Sequence, residues 1–136
     1  METVKADITL RNAGDVINAQ RGIIKDSEIR QLSIRAMVDT GAITLVINDE
    51  VRKELGLELV SPYEARLADG VLHTFAKSEP IQVYWKNREM VCQAIVVPDA
   101  KEVLLGLIPL ESMDLIVHTS KNELVGAHGD EMIFRI

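Results

Sequence analysis

The chain has 136 residues and a formal net charge of -6, and 47% of its residues are hydrophobic. This length and composition suit one globular domain with its own core, and the acidic balance argues against nucleic acid as a partner. No apolar run approaches the ~20 residues that cross a bilayer, and the N-terminal residues do not resemble a signal peptide. The sequence therefore predicts a single cytoplasmic domain over residues 1–136, with no membrane partner.

Residues that could form a disulfide or hold a metal are sparse. The one cysteine, Cys92, cannot close a disulfide within the chain, and its apolar neighbours favour a buried thiol. His73, His118 and His128 lie far apart and match no metal-ligand spacing. The sequence therefore predicts no metal and no cofactor.

Strand patterns dominate the first part of the chain. Apolar and polar residues alternate over residues 4–10 and again over residues 32–38, which is the period of a half-buried strand. Between them, residues 12–15 have the composition of a turn, and residues 15–28 predict a loop or a weak strand. The second strand leads directly into Asp39.

The rest of the chain predicts short elements separated by turn residues. An aspartate followed by a glycine, between two alternating arms, is typical of a hairpin turn, and proline suits the first turn of a helix. The predicted elements are a helix capped by Asn48 and stopped by Gly56, a hairpin turning at Asp69-Gly70, a strand over 81–85, a turn over 86–88, one continuous strand over 90–97 ended by Pro98, a short apolar segment over 103–106, a brief helix from Pro109 to about Met113, and closing strands over 115–117, 123–125 and 132–136.

Asp39 lies in the sequence A-M-V-D-T-G-A, at the end of the second predicted strand. An aspartate in this composition can simply accept hydrogen bonds from nearby backbone amides in a turn. Three features favour a further role for this one. An apolar strand precedes it, the small Ala42 follows the glycine, and a second apolar segment that ends in glycine occurs later, at residues 104–106.

Taken in order, these segments resemble the retropepsin-like aspartic peptidases. The segment V-I-N-D-E-V-R-K-E-L-G-L at residues 46–57 resembles the small prokaryotic members more than the viral ones. The matching segments are A-M-V-D-T-G-A at residues 36–42, R-L-A-D-G-V-L at 66–72 and E-V-L-L-G-L-I-P-L-E-S-M-D-L at 102–115. The resemblance covers about residues 30 to 118. It implies an all-β fold, the half-barrel of retropepsin-like acid proteases with one or two short helices, completed by homodimerisation.

The resemblance also implies an activity. The chain would be an aspartic endopeptidase that hydrolyses peptide bonds of peptide or protein substrates, using a water activated by two Asp39 carboxylates, one from each subunit. It implies that three residues support the active-site loop, namely Thr40, Gly41 and Ala42. Relatives with Ser or Thr in place of Ala42 have one more hydroxyl donor near the carboxylate, so we expect activity nearer neutral pH here.

Two further groups of residues take roles from the resemblance. The first would form a mobile hairpin, the flap, which covers the substrate: Ala68, Asp69, Gly70 and Val71. The second would pack beneath the active-site loop: Leu104, Leu105 and Gly106. Taken alone, the first group favours an ordinary surface hairpin, and core packing is an adequate explanation for the two leucines.

Two other functions are compatible with the sequence. The chain could be a catalytically silent dimeric module that binds peptides on the same fold, although the intact Asp-Thr-Gly argues against loss of activity. It could also be a small β-barrel binding protein in which Asp39 only caps a turn, but this leaves the ordered set of motifs unexplained. The apolar segment 132–136 is either a core strand or an interface strand, and the resemblance favours the interface.

Overall fold

The computed structural model describes residues 3–130 and consists mainly of short strands. The strands are β1 (Lys5–Asn12), β2 (Gln31–Val38), β3 (Val46–Ile47), β4 (Leu59–Arg66), β5 (Leu72–Ser78), β6 (Ile81–Trp85), β7 (Arg88–Cys92), β8 (Ile95–Val96), β9 (Leu104–Leu105), β10 (Leu115–His118) and β11 (Glu123–Gly126). The helices are α1 (Ala13–Gln20), α2 (Asp49–Glu54) and α3 (Leu107–Ser112), with a 3-10 turn at Asp26–Glu28. The predicted all-β class is confirmed.

Within residues 3–130, nine strands form one sheet in the order β4-β5-β8-β3-β9-β2-β1-β6-β7, and β10 pairs with β11 separately. The pairs β2–β9 and β3–β8 are parallel, and the other pairs in the sheet are antiparallel. The sheet curls into a half-barrel around an apolar core that includes Leu10, Leu45, Ile47, Ile81 and Leu105. Each such side chain contributes about 1.5–3 kcal/mol by its removal from water.

The strand that precedes Asp39 is confirmed. β2 pairs with β1 over its whole length, from Arg11↔Gln31 to Lys5↔Met37. Its last residues also pair with β9, where Val38 lies opposite Leu105. The end of β2 is therefore held on both sides, and Asp39 follows a fixed strand.

Residues 13–20 form helix α1, so the prediction of a turn followed by a loop or weak strand is wrong there. The side chain of Asn12 caps the helix: its Oδ1 accepts a hydrogen bond from the backbone N of Asp15 at 3.1 Å. Its Nδ2 donates to the carbonyl of Leu55 at 2.9 Å. Asp15 accepts from Nε of Arg30 at 2.8 Å, and this guanidinium lowers the pKa of Asp15. The helix thus depends on contacts with residues distant in sequence.

The predicted continuous strand over residues 90–97 is also wrong, because β7 ends at Cys92 and β8 begins at Ile95. The buried Ser78 lies at the break. Its Oγ accepts from the backbone N of Ala94 at 3.0 Å, and its own N donates to the carbonyl of Ala94 at 2.9 Å. The chain changes neighbours here, because β7 pairs with β6 whereas β8 lies between β5 and β3.

The two predicted helices are confirmed in position. Oδ1 of Asn48 accepts from the backbone N of Val51 at 2.9 Å and caps α2, and Gly56 follows the helix with a φ of 65°. Helix α3 begins two residues before Pro109. None of the described helices is long and apolar enough to span a membrane. The predicted strand over residues 132–136 lies outside the described residues.

Candidate functional site

Asp39 directly follows β2. It lies next to β9, the strand that pairs with β2 in parallel. Its backbone N donates to the carbonyl of Leu105 in β9 at 3.0 Å, so the strand pairing continues up to Asp39 itself. Its side chain is partly exposed. The sheet therefore fixes the main chain of Asp39, while the carboxylate remains accessible.

The residues after Asp39 form a tight turn, and we call residues 39–44 the Asp39 loop. The backbone N of Gly41 donates to Oδ1 of Asp39 at 2.9 Å, and the N of Ala42 donates to the carbonyl of Asp39 at 3.1 Å. A Cβ on Gly41 would lie 3.1 Å from this same Oδ1, so any other residue would crowd the carboxylate. Thr40 is exposed at the tip of the loop.

The Asp39 loop rests on the start of α3. The backbone N of Leu107 donates to the carbonyl of Ala42 at 2.9 Å, and the N of Ile108 donates to the carbonyl of Ile43 at 2.9 Å. A Cβ on Gly106 would lie 2.3 Å from the carbonyl O of Thr44, so only glycine allows this close approach. The structure thus places the segment 104–106 beneath the Asp39 loop.

A cleft of about 660 Å³ opens between the Asp39 loop and the β4–β5 hairpin. Most of its lining is apolar, and Asp39 is the only carboxylate among the described residues that line it. The lining residues are Asp39, Gly41, Ala42, Ile43, Val46, Tyr63, Ala65, Arg66, Leu67, Ala68, Phe75, Ile95, Val97, Ala100 and Leu104. An extended peptide in this cleft would lie against the Asp39 carboxylate.

The turn of the β4–β5 hairpin contains the four predicted flap residues, but only Ala68 lines the cleft. Oδ1 of Asp69 accepts from the backbone N of Val71 at 2.8 Å, and this bond lowers the pKa of Asp69. Gly70 has a φ of 78°, a conformation that glycine adopts without strain. Val71 is 53% exposed, so the outer side of the turn presents an apolar side chain to solvent.

Comparison with known proteins relates this arrangement to a family. The model of the family described as "gag-polyprotein putative aspartyl protease" matches residues 25–112. The chain belongs to this aspartyl protease family. No curated protein sequence matches it.

Two solved structures are similar to this aspartyl protease family member. The retroviral protease-like domain of Ddi1 from Leishmania major aligns with a TM-score of 0.57 at 15% identity, over 92% of this chain and 88% of that chain. A retropepsin-like aspartic protease from Rickettsia conorii aligns with a TM-score of 0.46 at 19% identity, over 87% of this chain and 89% of that chain. The likeness to the Ddi1 domain shows that this chain has the retroviral protease-like fold.

Sequence reasoning missed most of the cleft lining of this protease-family chain. Tyr63, Ala65 and Phe75 lie on the face of the hairpin that covers the cleft, and Tyr63 pairs with Phe75 across the two strands. The alternation along both arms was the available signal, since every second residue of a strand shares a face. Arg66 was also missed, and its Nη1 donates to the carbonyl of Gly70 at 2.6 Å within the turn.

Metal-binding side chains are not grouped in the part of the chain that the structure describes. Within residues 3–130, no group of three or more His, Cys, Asp or Glu side chains could hold a metal ion.

Proposed function

We propose that the protein is an aspartic endopeptidase that acts as a homodimer on peptide or protein substrates. The observation that carries this proposal is the position of Asp39, which lies at the end of a fixed strand and lines a cleft large enough for an extended peptide. In this proposal, residues 1–136 form one domain that works in the cytoplasm. It rests on the family, the fold and this geometry together.

A second copy of the chain is needed because one carboxylate cannot perform this reaction. The sequence contains a single Asp-Thr-Gly, and Asp39 is the one carboxylate among the described cleft residues. A twofold axis beside the Asp39 loop would bring Asp39 of the partner against Asp39 of the first subunit. The exposed hydroxyl of Thr40 is well placed to reach the partner's loop and hold the two turns together.

The two carboxylates would then work as an acid and a base. Because two like charges in contact cannot both remain ionised, the pair shares one proton, as is general for aspartic proteases. The ionised carboxylate removes a proton from a water molecule, whose oxygen attacks the carbonyl carbon of the peptide bond. The protonated carboxyl donates its proton to the carbonyl oxygen, which gives a neutral tetrahedral diol. The carboxyl that took the proton from water then gives it to the amide nitrogen, while the other carboxylate removes a proton from a hydroxyl of the diol. The C–N bond breaks to release a carboxylic acid and an amine, and the dyad again holds one shared proton.

The β4–β5 hairpin would act as the flap of this cleft. Its inner face carries apolar side chains such as Phe75 over the site, and the backbone hydrogen bonds that Leu67 and Gly70 donate stay within its turn. Closure of the hairpin over a substrate excludes bulk water and adds backbone hydrogen bonds to an extended peptide. This role requires the hairpin turn to move while the Asp39 loop on the other side of the cleft stays fixed.

Mixing of subunits tests the shared active site. We expect the wild-type protein to cleave members of a mixed peptide library between about pH 4 and pH 7, and the Asp39→Asn variant to cleave none. When equal amounts of the two proteins exchange subunits, we expect total activity to fall to about one quarter of an all-wild-type sample, because only dimers with two Asp39 carboxylates are active. Independent subunits would retain about one half.

The control is Asp26→Asn, the same change in an exposed 3-10 turn near the opposite end of β2 from Asp39. Mixtures with this variant should keep full activity. Retention of about half the activity on mixing with Asp39→Asn contradicts the shared dyad. Absence of cleavage by the wild type, with a dimer present by sedimentation, favours the silent peptide-binding module instead.

A further inference from the structure

A smaller compartment adjoins the cleft on the side away from the hairpin turn. Its volume is about 220 Å³, and it shares three lining residues with the cleft, namely Ile43, Tyr63 and Ile95. The remaining lining residues are Thr44, Lys77, Cys92, Gln93 and Ile108. A side chain of a peptide lying in the cleft can therefore enter this compartment past Tyr63.

Lys77 is the only charged residue among those that line the compartment. It belongs to β5 on the same face as Phe75, which lines the cleft. Its Nζ lies 5.7 Å from the centre of the Tyr63 ring, so the ammonium is held over the boundary between compartment and cleft. Within residues 3–130 it makes no salt bridge, and its charge is open to a ligand.

The other polar groups of the compartment do not neutralise Lys77. Burial raises the pKa of the Cys92 thiol to about 11, so this side chain is uncharged at neutral pH. Gln93 is neutral, and its Nε2 donates to the carbonyl of Ser78 at 3.2 Å. The compartment therefore combines isoleucine walls with one uncompensated positive charge.

We propose that this compartment is a specificity subsite for an acidic side chain of the substrate, with Lys77 as the residue that selects it. The inference rests on the proposed peptidase function and adds the substrate class. The methylene groups of a glutamate would lie between Ile43, Ile95 and Ile108, and its carboxylate would meet the ammonium. A charge-assisted hydrogen bond of this kind is lost when the substrate carries the neutral glutamine in the same shape. The twofold axis would repeat the subsite on the other side of the cleaved bond.

The test uses pairs of fluorescently labelled decapeptides that differ only by Glu or Gln at one position, scanned along an otherwise apolar sequence. At the preferred position we expect kcat/KM of the wild type to be roughly 5- to 10-fold higher for the Glu peptide, with the difference falling as salt rises. Lys77→Met should reduce the Glu/Gln ratio to about one, whereas Lys77→Arg should keep most of the wild-type ratio. Lys77→Glu should invert the preference toward a Lys peptide.

The control is Lys121→Met, which removes an exposed lysine from the turn between β10 and β11 and should leave the Glu/Gln ratio intact. Fluorescence anisotropy of the same peptides with the Asp39→Asn variant, with and without Lys77→Met, measures binding without turnover. Cleavage with equal rates for Glu and Gln, or a ratio unchanged by Lys77→Met, overturns the subsite. Tighter binding of the Glu peptide that depends on Lys77, without cleavage by the wild type, supports the subsite and overturns the peptidase function.

Discussion

The Asp39 loop and the turn of the β4–β5 hairpin share one local hydrogen bond. In each, Oδ1 of an aspartate accepts a hydrogen bond from the backbone N two residues later: Gly41 to Asp39 at 2.9 Å, and Val71 to Asp69 at 2.8 Å. Their backbones differ, because Gly70 has a positive φ and Gly41 does not. Local sequence therefore gives both segments the same side-chain-to-backbone bond within different turns.

The two turns differ in what lies behind them. Backbone amides at the start of α3 bond the carbonyls of Ala42 and Ile43, so the Asp39 loop is joined to a helix and a sheet. The backbone hydrogen bonds of the hairpin turn, from Leu67 and Gly70, stay within the turn itself. Tertiary support therefore separates the two aspartates: the Asp39 loop is bonded to a helix and a sheet, whereas these bonds of the Asp69 turn stay within the turn.

Replacement of each of the two aspartates by asparagine should separate the two turns most strongly. Asp39→Asn should lower kcat by at least about 10³-fold, because an amide can neither remove a proton from water nor share one. Asp69→Asn should change kcat/KM by about threefold or less, because an amide oxygen can still accept from the Val71 amide. Steady-state cleavage of one peptide by both variants checks this, and a comparable loss from Asp69→Asn would break the distinction.

Alanine at the two glycines compares the support of the two turns. Gly106→Ala should lower the free energy of unfolding by about 3 kcal/mol, because the added Cβ would overlap the carbonyl oxygens of Thr44 and Ala42 at 2.3 Å and 2.6 Å. Gly70→Ala meets no atom within 4 Å and should lower it by about 1 kcal/mol, through its positive φ alone. Urea denaturation measures both, and equal losses would mean that α3 does not support the Asp39 loop.

A hydroxyl added beside the fixed carboxylate should change the pH dependence of cleavage. Ala42→Ser supplies a donor to the ionised form of the dyad, which should persist to lower pH. We expect the acid limb of the pH–rate profile to move down by roughly half to one pH unit. Ala68→Ser in the hairpin turn is the matched control, and an acid limb that Ala42→Ser leaves in place would contradict the role given to Ala42.

Features encoded by neighbouring residues could be predicted from the sequence. The alternation before Asp39, the asparagine cap of α2 and the glycine of the hairpin turn all act over a few residues, and the structure has each of these elements. Helix α1 could not be predicted in this way. Although Asn12 caps it locally, its first turn is also held by the bond of Asn12 to the carbonyl of Leu55 and by the ion pair of Asp15 with Arg30, which is 15 residues away.

The missed features of the site have the same cause. No glycine or proline marks the break after Cys92 in the sequence. The hydrogen bonds of Ser78 produce this break in the folded sheet. The place of Lys77 beside Tyr63 follows from the register of β4 with β5 and from the position of β8, which only the folded sheet determines. The order of motifs indicated the aspartyl protease family, whereas the proposed substrate preference depends on residues that the fold brings together.

Main-chain atoms make the hydrogen bonds from Leu107 and Ile108 that attach the Asp39 loop to α3, while the side chains of these two residues are 36% and 45% exposed. Amino acids at these two positions can therefore change without loss of the bonds that hold the loop. Variation at this pair would alter the surface next to the Asp39 loop and leave its scaffold in place, so directed evolution of the proposed peptidase could begin there.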